Sequence, residues 1–132
     1  MLLREILELE QDGPCPKDFS KVNRVQEKIM ELDDQKPAIL RVENPDTRWD
    51  GSVHWITESR HGYAALHKLS ILALHRPYIF HRKESRRQAL EASIKMLELQ
   101  RASFGDLPRD SWTKYVTHQF DPYWRVTPRR CD

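Results

Sequence analysis

Cysteine is nearly absent: Cys15 and Cys131 are the only two in 132 residues. Two thiols near opposite ends supply neither a zinc cluster nor a disulfide framework, and both are expected to be reduced and unpaired. Glycine is scarce too. Its four copies, at positions 13, 51, 62 and 105, are isolated from one another. A P-loop or a dinucleotide fingerprint needs clustered glycines, so neither exists. Long apolar runs are missing. The longest, over 69–74, is broken by Ser70 and flanked by Lys68 and His75, far short of the ~20 residues that span a bilayer. No apolar h-region follows Met1, so the expectation is a soluble, intracellular chain. No strand-like alternation and no internal repeat occur. Leu, Ile, Val and Phe number 31 of 132, and the mean hydropathy is −0.76. Such a chain builds a small core, and a large buried enzyme core is not expected.

Charge, by contrast, is plentiful. Lys and Arg number 22 and Asp and Glu 20, giving a net charge of +2. The balance hides an asymmetry. Residues 1–50 carry 8 basic and 12 acidic side chains, and residues 51–132 carry 14 and 8. The halves therefore attract each other, or the second faces an acidic partner. The overall charge is too mild to indicate nucleic acid by itself.

Periodicity predicts helices throughout. Leu2, Ile6 and Leu9 give a short amphipathic helix over 1–11, which Gly13 and the prolines 14 and 16 end. Phe19, Val22, Val25, Ile29 and Leu32 form one stripe over 18–35, with Asp18 as its N-cap and Pro37 beyond its end. Residues 37–52 read as a loop. Over 53–75 comes the most buried helix, with a stripe of Tyr63, Leu66, Ser70 and Ala73 that Leu69, Leu72 and Leu74 widen. Gly62 costs it helical stability. Arg76 precedes Pro77, so this helix stops there. Over 85–104, Ser85 and Gln88 form a capping box, and Ala89, Leu90, Ser93, Ile94, Met96 and Leu97 follow at helical spacing up to Gly105. A last short helix over 110–120 gives way to a frayed tail. The expectation is an all-α fold: an antiparallel helical array with long loops. Its parts are residues 1–17 (short helix and Pro-rich linker), 18–104 (main helical region) and 105–132 (short helix and irregular tail).

Tests for chemistry return little. Among six histidines, His54 and His61 are seven apart, and no H-x-x-x-H or H-E-x-x-H exists, so no metal site is expected. There is no G-x-S-x-G, and no arrangement marks a nucleophile with its base. Neither catalytic residues nor a cofactor is assigned. Arg76, Arg82, Lys83, Arg86 and Arg87 crowd together with only Glu84 opposing. They suit phosphate contacts, or else a solvated or intramolecular role. Arg82-Lys83-Glu84-Ser85 also has the form of a basophilic kinase site, although Ser85 as a plain cap accounts for it. Trp49, Trp55 and Tyr63 suit either a ligand pocket or the core.

One segment carries a family likeness. Leu74-His75-Arg76-Pro77-Tyr78 ends a helix, a basic connector runs into Ser85-Arg86, and Ala89-Leu90-Glu91-Ala92 leads to Ile94, Leu97 and Leu99. This resembles the middle homology region of fungal zinc-cluster transcription factors, over about residues 60–101. A weaker likeness covers about 18–60, where a helix leads into Gln35-Lys36-Pro37-Ala38-Ile39-Leu40. The family motif falls on Leu74, His75, Arg76, Pro77, Ser85, Ala89, Leu90, Ala92 and Leu97, in structural rather than catalytic roles.

The resemblance implies a nuclear protein that regulates RNA polymerase II transcription through intramolecular or protein–protein helical contacts. A small-molecule response would belong to the full domain. DNA would be read only through a module absent here, the six-cysteine cluster that holds two zinc ions. Ala89 stands where many members carry cysteine, and the chain does not continue into the family's further long helices. The expectation is thus a regulatory-domain fragment, with no membrane contact and no enzyme activity. The alternatives are a stand-alone helical interaction module or a nonfunctional remnant. Helices 53–75 and 85–104 should form a packed hairpin, and Leu90→Asp should collapse it.

Overall fold

The computed structural model describes residues 2–106. Four α-helices follow one another: α1 (Leu2–Gln11), α2 (Ser20–Asp34), α3 (Trp55–His75) and α4 (Lys83–Asp106). Short 3₁₀ turns lie at Ala38–Leu40 and Arg76–Tyr78. No strand occurs among the described residues, and the fold is all-α, as the periodicity implied. The expected helix at 110–120 and the tail beyond it lie outside the described residues.

Local chemistry sets the helix ends. Gly13 takes the left-handed conformation, with φ of 82°, just where α1 ends and the Asp12 and Gly13 amides bond back to Leu9 and Glu10 carbonyls. That conformation costs glycine no Cβ clash. Asp18 accepts from the Ser20 amide at 2.9 Å, although the cap position itself is Phe19, one residue later than the sequence suggested. Across the α1–α2 turn, Lys28 Nζ meets Glu5 at 2.9 Å. Cys15, within that turn, is disulfide-bonded, which corrects the expectation of a free thiol.

The core collects Ile6 and Leu9 of α1, Val22, Val25 and Ile29 of α2, Ile71 and Leu74 of α3, Tyr78, and Ala92 of α4. Ile29 and Leu74 are each 1% exposed. Burying a side chain of that size stabilises by about 1.5–3 kcal/mol. The α2 stripe is as expected except at its end, where Leu32 is 52% exposed.

The hairpin of α3 and α4 forms and is the most extensive helix–helix contact of the fold. Its seam, however, is not the one the large apolar residues suggested. The buried residues of α4 are Ser85, Ala89, Ala92, Leu99 and Ser103, while Leu90, Ile94 and Leu97 are 60%, 49% and 66% exposed. On α3, Tyr63 and Leu66 are exposed, whereas Ile56, Arg60, His61, Ala64, Ile71 and Leu74 are buried. Small side chains let two backbones approach closely, which large ones prevent. Buried hydroxyls do not oppose this, because Ser103 Oγ donates to the Gln100 carbonyl at 2.8 Å. Leu90 and Leu97 are therefore surface residues, not core. Leu90→Asp is no longer expected to collapse the hairpin.

The connector 37–54 is clasped onto α3 by one buried side chain. Arg60, 5% exposed, reaches both carboxylate oxygens of Asp50 at 3.0 and 2.8 Å. Its Nε donates to the Ile39 carbonyl at 3.1 Å. A planar guanidinium suits this bidentate grip, and it holds the Asp50 carboxyl below the usual range.

Candidate functional site

The motif residues converge on the joint between α3 and α4. α3 ends at His75, and Pro77 sits in the following turn, where its missing N–H costs nothing. His75 is 0% exposed, as is Ser85. Its Nε2 lies 2.7 Å from Gln26 Oε1 and its Nδ1 lies 3.0 Å from Ser85 Oγ. A carbonyl oxygen only accepts, so Nε2 bears the proton toward Gln26 and Ser85 donates to Nδ1. One imidazole thus ties α2, α3 and α4 together. Burial pushes its pKa down to about 4, with the Arg82 cation adding to the effect and Glu84 opposing it.

Ser85 is therefore not the N-cap of α4. The helix begins at Lys83, and the Ser85 hydroxyl points inward to His75 instead of closing a capping box. A serine hydroxyl on an imidazole has the elements of a nucleophile with its base. Neither group has exposed surface, so no substrate reaches the pair in this conformation, and its role is to fix the joint.

Around the joint the basic cluster is largely consumed within the chain. Arg82 lies 4.5 Å from the Phe19 ring centre and donates to Asn23 Oδ1 at 2.9 Å. Arg86 Nε donates to the Ile79 carbonyl at 3.0 Å. Arg87 bridges Glu84 and Glu91, each at 2.6 Å. Phe19 also meets Tyr78 edge-on at 5.5 Å. Of the two readings of this cluster, intramolecular contact is the one the geometry displays.

The other motif residues separate into two groups. Leu74, Ala89 and Ala92 are buried alongside His75 and Ser85, and Arg76 and Pro77 are half-buried. Leu90 and Leu97 lie on the opposite, open side of α4. A second feature went unread in the sequence. A cleft of about 470 Å³ opens where the end of α2, residues 41–44, α3 and α4 meet. Lys36, Arg41, Lys68 and Lys95 line it together with Asp33, Asp34 and Glu43, over a floor that includes Ala64 and Leu99. Lys36 is already spent on Asp33 at 2.7 Å, and Lys95 on Glu98 at 3.1 Å. Such mixed and partly satisfied charge selects no ligand sign. Only the tertiary arrangement assembles this cleft, so no local spacing announced it.

Trp49 and Trp55 do not line that cleft; they are 54% and 55% exposed. Among the described residues, no group of three or more His, Cys, Asp or Glu is placed to hold a metal ion. No helix among them is long and apolar enough to cross a membrane. No protein-family model matches the chain, and no curated protein or solved structure matches it either.

Proposed function

We propose that this chain is a helical protein-interaction unit, a portion of a transcription-factor regulatory domain that acts in the nucleus on RNA polymerase II transcription. The observation that carries the interaction reading is the hairpin itself. The well-tied hairpin leaves large apolar side chains open on each helix: Leu66 of α3 is 55% exposed, and Leu90 and Leu97 of α4 are 60% and 66% exposed. Soluble surfaces rarely gather large apolar side chains without a partner to cover them. The transcriptional reading is supported by the resemblance at Leu74-His75-Arg76-Pro77 and the helix that follows. In this reading the chain contacts DNA through no residue of its own, and the zinc-holding module of such a regulator lies elsewhere.

A tethering experiment tests it. Residues 1–132 are fused to a heterologous DNA-binding domain, and a reporter bearing its site is measured in fungal cells. The expected result is a several-fold change in reporter output, lost when Leu66 and Leu97 are both changed to Glu. Output equal to that of the DNA-binding domain alone would remove the reading. The stand-alone interaction module is favoured instead if the fusion is silent while the chain still captures a partner through the same face.

A further inference from the structure

The two ends of the bundle differ in what the chain does there. The α1–α2 turn lies beside the α3–α4 joint: the Tyr78 hydroxyl donates to the Leu9 carbonyl at 3.4 Å, and Arg82 reaches Asn23 at 2.9 Å. Cys15 belongs to this end. α4 starts here at Lys83 and runs 24 residues to Asp106, so at ~1.5 Å per residue its last turn lies about 35 Å away. Cys15 is disulfide-bonded, and Cys131 is the only other cysteine of the chain. A chain that leaves α4 at the far end and closes on Cys15 has to come back along the bundle.

The outer side of α4 is apolar where that path begins. The buried side carries Ala89, Ala92, Leu99 and Ser103. At ~100° per residue, Ile94 and Leu97 lie about 140–160° round the helix from Ala92 and Leu99, and they are 49% and 66% exposed. Leu90 stands one turn earlier on the same row and Arg101 one turn later. The sequence after Asp106 has matching chemistry. Pro108 bars continuation of α4, and Asp110 or Ser111 supplies a new cap. Trp112, Tyr115, Val116 and Phe120 then form one stripe of the helix that the periodicity predicts over 110–120. Leu107, Pro108 and Arg109 make a connection of the length that joins antiparallel helices in contact.

We propose that the chain's own segment 107–132 occupies this row: a helix over 110–120 packs antiparallel on Ile94 and Leu97, and residues 121–131 continue to a disulfide between Cys131 and Cys15. Three observations select this segment over a foreign partner. It begins at the end of α4 that the row leads to. Its apolar stripe matches the row, and Asp110 at its start falls opposite Arg101, so the charges are complementary. Its far end is tied to the other end of the bundle, which holds it along α4. A helix over 110–120 is about 16 Å long, enough to cover Leu97 and Ile94 and to stop short of Leu90. Residues 121–131, at ~3.3 Å each when extended, span the rest of the way to Cys15. The bond closes by exchange with a small disulfide such as oxidised glutathione, which takes up the two electrons and two protons of the thiols and leaves as two molecules of its own thiol. The inference does not rest on the transcriptional reading. It assigns part of the α4 row within the chain and leaves Leu66 of α3 to a partner.

The test is methyl NMR on the full 15.8 kDa chain, treated with oxidised glutathione, together with non-reducing peptide mapping. The expected result is cross-peaks from the Ile94 and Leu97 methyls to aromatic protons of 112–120, none from Leu90, and a linked pair of peptides carrying Cys15 and Cys131 of one chain. Trp112→Glu with Val116→Glu should remove the cross-peaks while the core methyls of Ile29, Ile71 and Leu74 keep their positions, which shows that the fold itself survives. Two results overturn the proposal: Ile94 and Leu97 methyls that lack such cross-peaks and ignore the double substitution, or Cys15 and Cys131 found unlinked or linked only between two chains. The tethered reporter reads the other question separately. A silent fusion with the cross-peaks present removes the transcriptional reading and leaves this one standing; an active fusion without them does the reverse.

Discussion

Acid should loosen this protein well before its carboxylates are protonated, and the reason is His75. Its imidazole is fully buried and its pKa is pushed down to about 4 from an ordinary 6.5. In the unfolded chain the same group binds a proton below pH 6.5. The unfolded state therefore gains protons that the folded state refuses, and stability falls as pH falls. The contribution is fully present above pH 6.5 and is lost progressively down to about pH 4. At roughly 1.4 kcal/mol per unit, the difference amounts to about 3 kcal/mol. That is a large share of the stability of a domain this size. Other groups act in the same region or below it. His67 is also lowered, chiefly by burial, so His67→Asn serves as a parallel control. The Asp46 and Glu84 carboxyls are held at about 2, chiefly by hydrogen bonds from Arg48 and Arg87 respectively. Their contributions disappear only as pH falls from about 4 toward 2. Urea unfolding at pH 8, 7, 6 and 5 measures the effect directly. His75→Asn should be less stable at pH 8 and show a shallower decline toward pH 5. A wild-type stability that is flat between pH 8 and 5 would refute the argument, as would a His75→Asn variant with the same slope as wild type.

Three further outcomes follow from the packing. Leu90→Asp should change stability by no more than about 0.5 kcal/mol when measured on the monomer, because the site is 60% exposed, whereas Ala92→Asp should unfold the chain by forcing a charge into the core; paired thermal melts decide between the two placements. Arg60→Ala should cost about 2 kcal/mol by removing charged hydrogen bonds to Asp50 and Ile39, and proteolysis should then begin within 41–54 rather than in the helices. Asn44 adopts φ of 48°, so Asn44→Gly should be neutral to slightly stabilising and Asn44→Val destabilising by about 1–2 kcal/mol, as read from midpoints in denaturant.

Helix existence was legible, because apolar spacing acts locally; α3 does end at His75, but Arg76 keeps helical dihedrals (φ −50°, ψ −45°) and the chain tightens into a 3₁₀ turn through Pro77 instead of leaving helical geometry there. The α1 and α2 faces were legible as well, since each has one clear stripe. α3 defeated the same logic. Over 69–74 it is apolar nearly all round, so spacing names no unique buried side, and size suggested the wrong one. For α4 the reading took Ala89, Leu90, Ser93, Ile94, Met96 and Leu97 together, yet Ala89 is buried while Leu90, Ile94 and Leu97 are exposed. Close approach to α3 selected the smaller residues. Ser85 had the spacing of a cap, yet its hydroxyl is claimed by an imidazole ten residues earlier. The Arg60 clasp and the Gln26 contact join residues 10 to 49 positions apart, and nothing in the local pattern marks such partners. Among the motif residues, Leu74, His75, Ala89 and Ala92 are buried, and Leu90 and Leu97 are exposed.

The seam built from Ala64, Ala89, Ala92 and Ser103 also bears on how this sequence can change over generations. In most cores the bulkiest residues are the ones that substitution damages most. Here a single added methylene on the seam pushes two helices apart along their length, whereas the outer leucines can be exchanged without disturbing the hairpin. Drift should therefore accumulate at the large apolar positions and stall at the small ones.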